Sequence, residues 1–177
     1  GGAKEAVTAL EKARATIPDD SKLLILLGDA HAETNQKGKA LASYEKAIEQ
    51  EGGTFPEAQL AIGALYRKEK EYGKAITELE KALAQFRKAI RPRGQAAASL
   101  ELARVYLATR DGEKAKEWLG KALTNDPTFA DTYYFFGRSL AGSRGTKSEA
   151  KSVLENYLKR APSGEFADAA KRILGRL

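Results

Sequence analysis

The stretch KALASYEKAI (residues 39–48) decides the fold, because close copies of it recur along the chain. The copies are EAVTALEKAR from residue 5, KAITELEKAL from residue 74, KAKEWLGKAL from residue 114 and a looser EAKSVLENYL from residue 149. Steps of 34, 35, 40 and 35 residues separate their aligned alanines, which are Ala6, Ala40, Ala75, Ala115 and Ala150. Periods of this length are typical of stacked helix pairs, since one pair alone cannot bury its apolar face.

Each copy repeats the same apolar spacing after its alanine. Four positions on stands a large apolar residue: Leu10, Tyr44, Leu79, Leu119 or Leu154. Three positions further stands a small or apolar residue: Ala13, Ala47, Ala82, Ala122 or Tyr157. The i, i+4, i+7 spacing describes one face of an α-helix. The alanines indicate close helix contacts, because helix axes approach to about 8 Å only where side chains are small.

A second amphipathic segment precedes four of the copies. Its common element is an apolar residue, a small residue and an apolar or aromatic residue three positions later, as in Leu27-Gly28-His31, Ile62-Gly63-Tyr66, Leu102-Ala103-Tyr106 and Phe136-Gly137-Leu140. Glycine inside a helix costs about 1 kcal/mol relative to alanine. Three glycines in register therefore predict that another backbone passes close by this helix.

These residues together resemble the tetratricopeptide repeat (TPR). The resemblance implies an all-α fold, a right-handed α-solenoid of antiparallel helix pairs with a C-terminal capping helix. It divides one domain, residues 1–177, into a half repeat with only its second helix (1–20), four full repeats (21–54, 55–90, 91–128 and 129–164) and a capping helix (165–177). The 40-residue step predicts a longer second helix before residue 90 and a new helix starting at Pro92.

The composition removes several kinds of chemistry from consideration. Among the 177 residues there is no cysteine and a single histidine, so neither a disulfide framework nor a cysteine-ligated metal site is expected. No catalytic pair stands out, and we expect a non-catalytic protein without cofactor or metal. No apolar run approaches the ~20 residues that cross a bilayer. No signal peptide is visible, which favours the cytoplasm, but the chain starts without methionine and partway through a repeat, as a fragment would.

The net charge of +6 comes from 30 basic and 24 acidic residues that mostly interleave, as on solvated helix faces. One basic stretch without an acidic residue, FRKAIRPRG (residues 86–94), is either a solvated loop or a docking patch for an acidic partner. Nucleic-acid binding is the alternative that the charge suggests. Helical RNA readers repeat paired polar residues at fixed positions, a pattern that this chain lacks, so no nucleic acid is expected.

The family resemblance also implies where a partner binds. TPR proteins commonly hold peptides in a concave groove lined by the first helix of each pair. The matching positions here are Ile25, Asp29, Leu60, Ala64, Arg67, Lys68, Leu100, Glu101, Arg104, Tyr134, Phe135 and Arg138. In the aromatic run YYFF, the resemblance assigns Tyr133 and Phe136 to the buried face and Tyr134 and Phe135 to the open one. An apolar stripe beside arginines suits a peptide or helix with apolar and acidic residues.

We therefore expect a protein–protein interaction or scaffolding module that binds a partner peptide or helix in this groove. Three alternatives stay open: a nucleic-acid-binding module, a regulatory or localising domain of a larger enzyme or membrane-anchored protein, and a groove whose residues pack on neighbouring repeats and bind nothing. Self-association through the truncated N-terminal repeat is a further expectation, because its apolar face includes Val7 and Leu10.

Overall fold

The structure, a computed structural model, describes residues 2–18 and 20–177. These residues form ten α-helices and no strand. The helices are α1 (Gly2–Thr16), α2 (Ser21–Glu33), α3 (Lys37–Gln50), α4 (Pro56–Lys68), α5 (Tyr72–Lys88), α6 (Pro92–Ala108), α7 (Gly112–Asn125), α8 (Ala130–Ala141), α9 (Lys147–Arg160) and α10 (Ala167–Leu174). The prediction that α5 is long and that α6 starts at Pro92 is confirmed.

The chain divides into two compact units, an N-terminal unit (Gly1–Ile90) and a C-terminal unit (Arg91–Leu177). In the N-terminal unit, α2 packs on α3 and α4 packs on α5, while α1 contacts α2. In the C-terminal unit, α6 packs on α7 and α8 on α9, and α10 lies against both α8 and α9. Each full pair is thus a helical hairpin with its own buried seam.

The repeated alanines form those seams. Ala40, Ala75, Ala115 and Ala150 are all 0% exposed, and the large apolar residues four positions later are at most 2% exposed. The predicted helix face is therefore confirmed in four copies. In α1 the corresponding residues are only half-buried, because α2 is the one helix that α1 contacts among the described residues.

The helical glycines are needed because of what lies opposite them. A Cβ atom built on Gly137 would lie 2.6 Å from Cγ of Leu154 and 3.2 Å from its backbone nitrogen. Gly63 faces Leu79 at the same two distances, and a Cβ on Gly28 would overlap the ring of Tyr44. The predicted close approach of a backbone is confirmed at Gly63 and Gly137, whereas the nearest atoms at Gly28 belong to a side-chain ring. In all three pairs the nearest atoms belong to the large side chain of the second helix, and in two pairs the backbone nitrogen of that residue lies next.

Three-residue turns join the helices of the first three full pairs, and all three turns have the same geometry. Their middle residues Asn35, Lys70 and Arg110 have φ values of 58°, 61° and 63°. In each turn the following backbone N–H donates to a carbonyl five residues earlier, at 2.8–2.9 Å. This is the Schellman arrangement, which satisfies carbonyls at a helix end. Reversing the chain within three residues places α2 and α3 antiparallel.

Candidate functional site

An open pocket lies between α2 and α4 of the N-terminal unit, and four of the predicted groove residues line it. Its volume is about 300 Å³. The lining residues are Asp29, Ala32, Glu33, Tyr44, Ala61, Ala64, Leu65, Arg67 and Lys68. We call this cavity the α2–α4 pocket.

The local sequence explains why a cavity forms there. Ala61 and Ala64 on α4 end at Cβ, so neither side chain fills the space in front of α2. Gly28 lets the ring of Tyr44 reach across from α3. The Tyr44 hydroxyl donates a hydrogen bond of 2.7 Å to the Asp29 carboxylate. Small residues on one wall and an anchored tyrosine therefore keep the pocket open.

The α2 wall of the pocket is acidic. Asp29 and Glu33 are one helical turn apart and so project from the same face of α2. Asp29 keeps contact with solvent, but partial desolvation of its carboxylate raises its pKa, the hydrogen bond from Tyr44 lowers it, and the nearby Glu33 raises it again. The net direction is upward. Burial and the bond to Asp29 also raise the pKa of the Tyr44 hydroxyl, which thus remains a donor.

The α4 wall is basic, but its lysine is engaged within the chain. Lys68 Nζ donates a hydrogen bond of 2.6 Å to the backbone carbonyl of Ala32, near the end of α2. The Ala32 carbonyl also accepts from the Asn35 backbone N–H at 3.3 Å, and a lysine at the C-terminal end of a helix interacts favourably with the helix dipole. Lys68 therefore ties α4 to α2, and Arg67 lines the pocket beside it.

The remaining predicted residues of the N-terminal unit lie one turn away from the pocket. Ile25 precedes Asp29 by four positions on α2, and Leu60 precedes Ala64 by four positions on α4. Residues four apart share a helix face. Both apolar side chains are half-buried, so they keep apolar surface available next to the pocket.

In the C-terminal unit, the expected exposure of Leu100, Tyr134 and Phe135 is wrong. These side chains are 4%, 6% and 6% exposed and belong to the core of that unit. The aromatic ring of Phe166, just before α10, covers α8 there. It stacks on Tyr134 at 4.5 Å between ring centroids with an interplanar angle of 5°, and it meets the Phe135 ring edge-on at 5.1 Å.

The same contacts reverse the prediction for the run YYFF. Tyr133 and Phe136, expected on the buried face, are only half-buried. The side that the repeat pattern leaves open is closed here by the C-terminal segment, since Phe166 and the half-buried Ile173 and Leu174 pack against this core. Two predicted groove residues of the last repeat, Tyr134 and Phe135, are thus part of the core in this chain.

The charged residues predicted in the C-terminal unit have internal contacts as well. Arg104 pairs with Glu101 at 2.6 Å, and its guanidinium lies over the Phe135 ring, 4.9 Å from the centroid. Arg138 is exposed. Lys68 and Arg104 are both bonded within the chain. Two of the cations that were expected to bind an acidic partner are therefore already engaged.

A second cavity, of about 430 Å³, lies in the C-terminal unit and is lined by Thr128, Asn156, Lys159 and Arg160. Its arginine is held by the protein itself: the Arg160 guanidinium lies 4.6 Å from the centroid of the Tyr133 ring and donates a hydrogen bond to the Tyr133 hydroxyl. All four lining side chains are polar. The cavity therefore lacks the apolar walls that ligand pockets usually have.

Five of the nine lining residues were missed at the level of sequence: Ala32, Glu33, Tyr44, Ala61 and Leu65. Glu33 occupies in its repeat the position that Lys68 occupies in the next one, so applying the family pattern to every repeat would have found it. Tyr44 was assigned to the core, where it does lie at 2% exposure, but its hydroxyl reaches Asp29. Within residues 2–18 and 20–177, no group of three or more histidine, aspartate or glutamate side chains is placed to hold a metal ion. Nor is any helix of that part long and apolar enough to span a bilayer.

Helical hairpins joined through alanine and glycine, with an open pocket on their first helices, define an all-α solenoid. Tetratricopeptide repeat models match residues 1–54 and 55–128, together more than half of the chain. The chain belongs to the tetratricopeptide repeat family. Domains of this family are generally non-catalytic scaffolds that bind other proteins, and this chain is accordingly a protein–protein interaction module.

Solved structures share the fold at low sequence identity. The thermophilic TPR protein TTC0263 of Thermus thermophilus is 19% identical, with a TM-score of 0.79 over 99% of this chain and 91% of that one. PilF of Pseudomonas aeruginosa is 16% identical, with a TM-score of 0.72 over 99% and 81% of the two chains. MamA of Desulfovibrio magneticus RS-1 is 22% identical, with a TM-score of 0.62 over 93% and 89%. A comparison with curated protein sequences finds no match.

Proposed function

We propose that this module binds a segment of a partner protein on the α2–α4 face of its N-terminal unit. The observation that carries the proposal is the α2–α4 pocket. The pocket is open in the folded chain, and four residues at the family's partner-contact positions line it. The corresponding aromatic residues of the last repeat are covered by the chain itself. The partner therefore binds through the first two full repeats.

The pocket suits one side chain of the partner rather than a whole small molecule. Its volume of about 300 Å³ is at the lower limit of ligand pockets. Burying one apolar or amphipathic side chain contributes about 1.5–3 kcal/mol, which alone gives only weak binding. Ile25 and Leu60, one turn away, offer further apolar contact. A partner segment that spans both places gains enough buried surface for specific binding.

Peptide display tests this proposal directly. The immobilised protein is used to select from a library of random twelve-residue peptides, and selected sequences are compared with those retained by an Ala64→Trp variant. Ala64 is a half-buried residue of the pocket wall, so tryptophan there fills the cavity. We expect the wild type to enrich a defined set of peptides and the variant to lose them.

A matched control separates pocket filling from general damage. Ala84→Trp places the same side chain on α5 of the same unit, at an exposed position outside the pocket lining. This variant should retain the wild-type peptides. If Ala64→Trp retains them as well, or if the wild type enriches none, the pocket is not the partner site.

A further inference from the structure

We infer that the partner segment presents a lysine or arginine side chain whose cationic group binds between Asp29 and Glu33 in the α2–α4 pocket. This inference rests on the proposed function and specifies the chemistry of the partner. It departs from the expectation of an acidic partner that the arginine-rich groove pattern suggested.

The first argument is the state of the two carboxylates. Asp29 and Glu33 both line the pocket. Within the described part of the chain, ion pairs form at many other acidic residues, but none includes Asp29 or Glu33. Tyr44 supplies one neutral hydrogen bond to Asp29. A cation entering the pocket would therefore be the first positive charge to bond with this acidic wall.

The second argument is the state of the opposite wall. The ammonium group of Lys68 already donates to the Ala32 carbonyl, and Arg67 has an interaction of its own within the chain. An acidic side chain would have to compete with these contacts. Among the described residues, a basic side chain meets no competing ion pair at Asp29 and Glu33, only the neutral hydrogen bond from Tyr44 to Asp29.

The third argument is the proton affinity of Asp29. A raised pKa means that the negative form of this carboxyl is less stable than in water, because the surrounding chain partly desolvates it and Glu33 repels it, although Asp29 keeps contact with solvent. A lysine or arginine head group beside Asp29 would favour the negative form and lower that pKa again. Binding of a cation in the pocket would thus act on Asp29 in the direction opposite to that of Glu33.

The overall charge distribution is compatible with a basic partner. Residues 1–90 contain 14 basic and 14 acidic residues, whereas residues 91–177 contain 16 basic and 10 acidic residues. The whole excess of +6 therefore belongs to the C-terminal unit. The N-terminal unit is neutral, so its long-range field does not repel a cationic segment.

The shape of the pocket fits a long basic side chain. Ala61, Ala64 and Leu65 form an apolar wall, against which the methylene stem of a lysine or arginine can lie while its head group stays polar. An arginine would add two parallel N–H···O bonds to a carboxylate. No other natural side chain combines an apolar stem with a positive tip.

The test extends the peptide selection to a charge variant. Peptides are selected in parallel on the wild type and on Asp29→Asn/Glu33→Gln, which keeps the size of both side chains and an acceptor for Tyr44. We expect lysine or arginine to be enriched at one position by the wild type, and this enrichment to disappear in the variant. For a single selected peptide, affinity should fall roughly 10- to 100-fold, as for loss of a charge-assisted hydrogen bond.

Glu45→Gln/Glu49→Gln is the matched control. It neutralises two exposed glutamates with the same i, i+4 spacing on α3 of the same unit, outside the pocket lining. Binding of the selected peptide should be unchanged in this variant. An equal loss in both variants would assign the effect to general charge and overturn the inference.

The outcomes distinguish the inference from the proposed function. Enrichment of acidic or only apolar residues by the wild type would overturn the inference and leave the pocket as a peptide site. Absence of any enrichment would overturn both.

A pH series adds an independent readout. The affinity for a basic peptide should fall as the pH drops through the raised pKa of Asp29, because the protonated carboxyl no longer attracts a cation. The neighbouring charged groups Glu33, Arg67 and Lys68 are present in every sample, so Asp29→Asn isolates the contribution of Asp29. If that variant shows the same pH dependence as the wild type, Asp29 does not bind the cation.

Discussion

Replacing two helical glycines by alanine should affect stability differently, with a gain at Gly120 that is cancelled or reversed at Gly137. Both Gly120 in α7 and Gly137 in α8 lie inside helices of the C-terminal unit. A Cβ atom on Gly120 would have no heavy-atom neighbour within 4 Å outside its own helical turn. Gly120→Ala should therefore stabilise the protein by about 1 kcal/mol, which is the difference in helix propensity.

Gly137→Ala gains the same propensity but creates a clash. Its Cβ would lie 2.6 Å and 2.9 Å from two carbons of the Leu154 side chain, where carbon atoms normally pack at about 3.5–4.0 Å. Leu154 is 0% exposed and has no free space to move into. Overpacking of this kind costs about 1–3 kcal/mol, so the two variants should differ by that amount.

Urea unfolding followed by tryptophan fluorescence measures the difference. Trp118, the single tryptophan, lies in α7 and reports on the C-terminal unit. In a Leu154→Ala background, Gly137→Ala should become less costly, because the clashing side chain is gone. Equal stabilisation by Gly120→Ala and Gly137→Ala would refute the account of how these helices pack.

Two further changes test other parts of the structure. Phe166→Ala should destabilise the C-terminal unit by about 2–3 kcal/mol in the same fluorescence assay, since it removes a half-buried ring that stacks on Tyr134; Phe166→Leu should cost less, and no change in either would contradict the role of Phe166. His31 is 3% exposed, and burial together with Lys39 lowers its pKa, against an opposing effect of Glu11. The unfolded state therefore binds the proton more readily, and stability should fall as the pH drops below about 6.5, by at most about 1.4 kcal/mol per pH unit. Urea midpoints from circular dichroism at several pH values should show this slope for the wild type and a smaller one for His31→Tyr.

The fold could be predicted from the sequence because its signal is local and repeated. The repeated positions specify which helix faces meet. Examples are Ala40 and Tyr44 on α3 and Gly28 on α2. Each pairing joins segments close in the sequence, and the short turns leave few ways of joining them. The repeat period then requires each hairpin to pack on a neighbour.

The burial of Tyr134 and Phe135 could not be predicted in the same way. The helical period places them on a face of α8, but it does not say what covers that face. Phe166 does so, and it reaches them only because the chain turns back after α9. That turn involves Tyr157, whose hydroxyl accepts a hydrogen bond from the Phe166 backbone N–H. It has no counterpart in the other repeats.

The α2–α4 pocket could be predicted from the sequence only in part. The family pattern selected Asp29, Ala64, Arg67 and Lys68 from their positions alone. It did not show that Lys68 is tied to the α2 backbone, nor that Asp29 forms no ion pair within the described part of the chain. Those facts depend on which side chains cross between helices, and they change the expected partner from acidic to basic.

A crystal structure of the protein with its best selected peptide would test the central claim most directly. The account predicts that a lysine or arginine head group of the peptide lies within hydrogen-bond distance, about 2.7–3.2 Å, of the Asp29 or Glu33 carboxylate, with its stem against Ala61 and Ala64. A peptide bound elsewhere on the protein, or one that places an acidic or apolar side chain in the α2–α4 pocket, would contradict it.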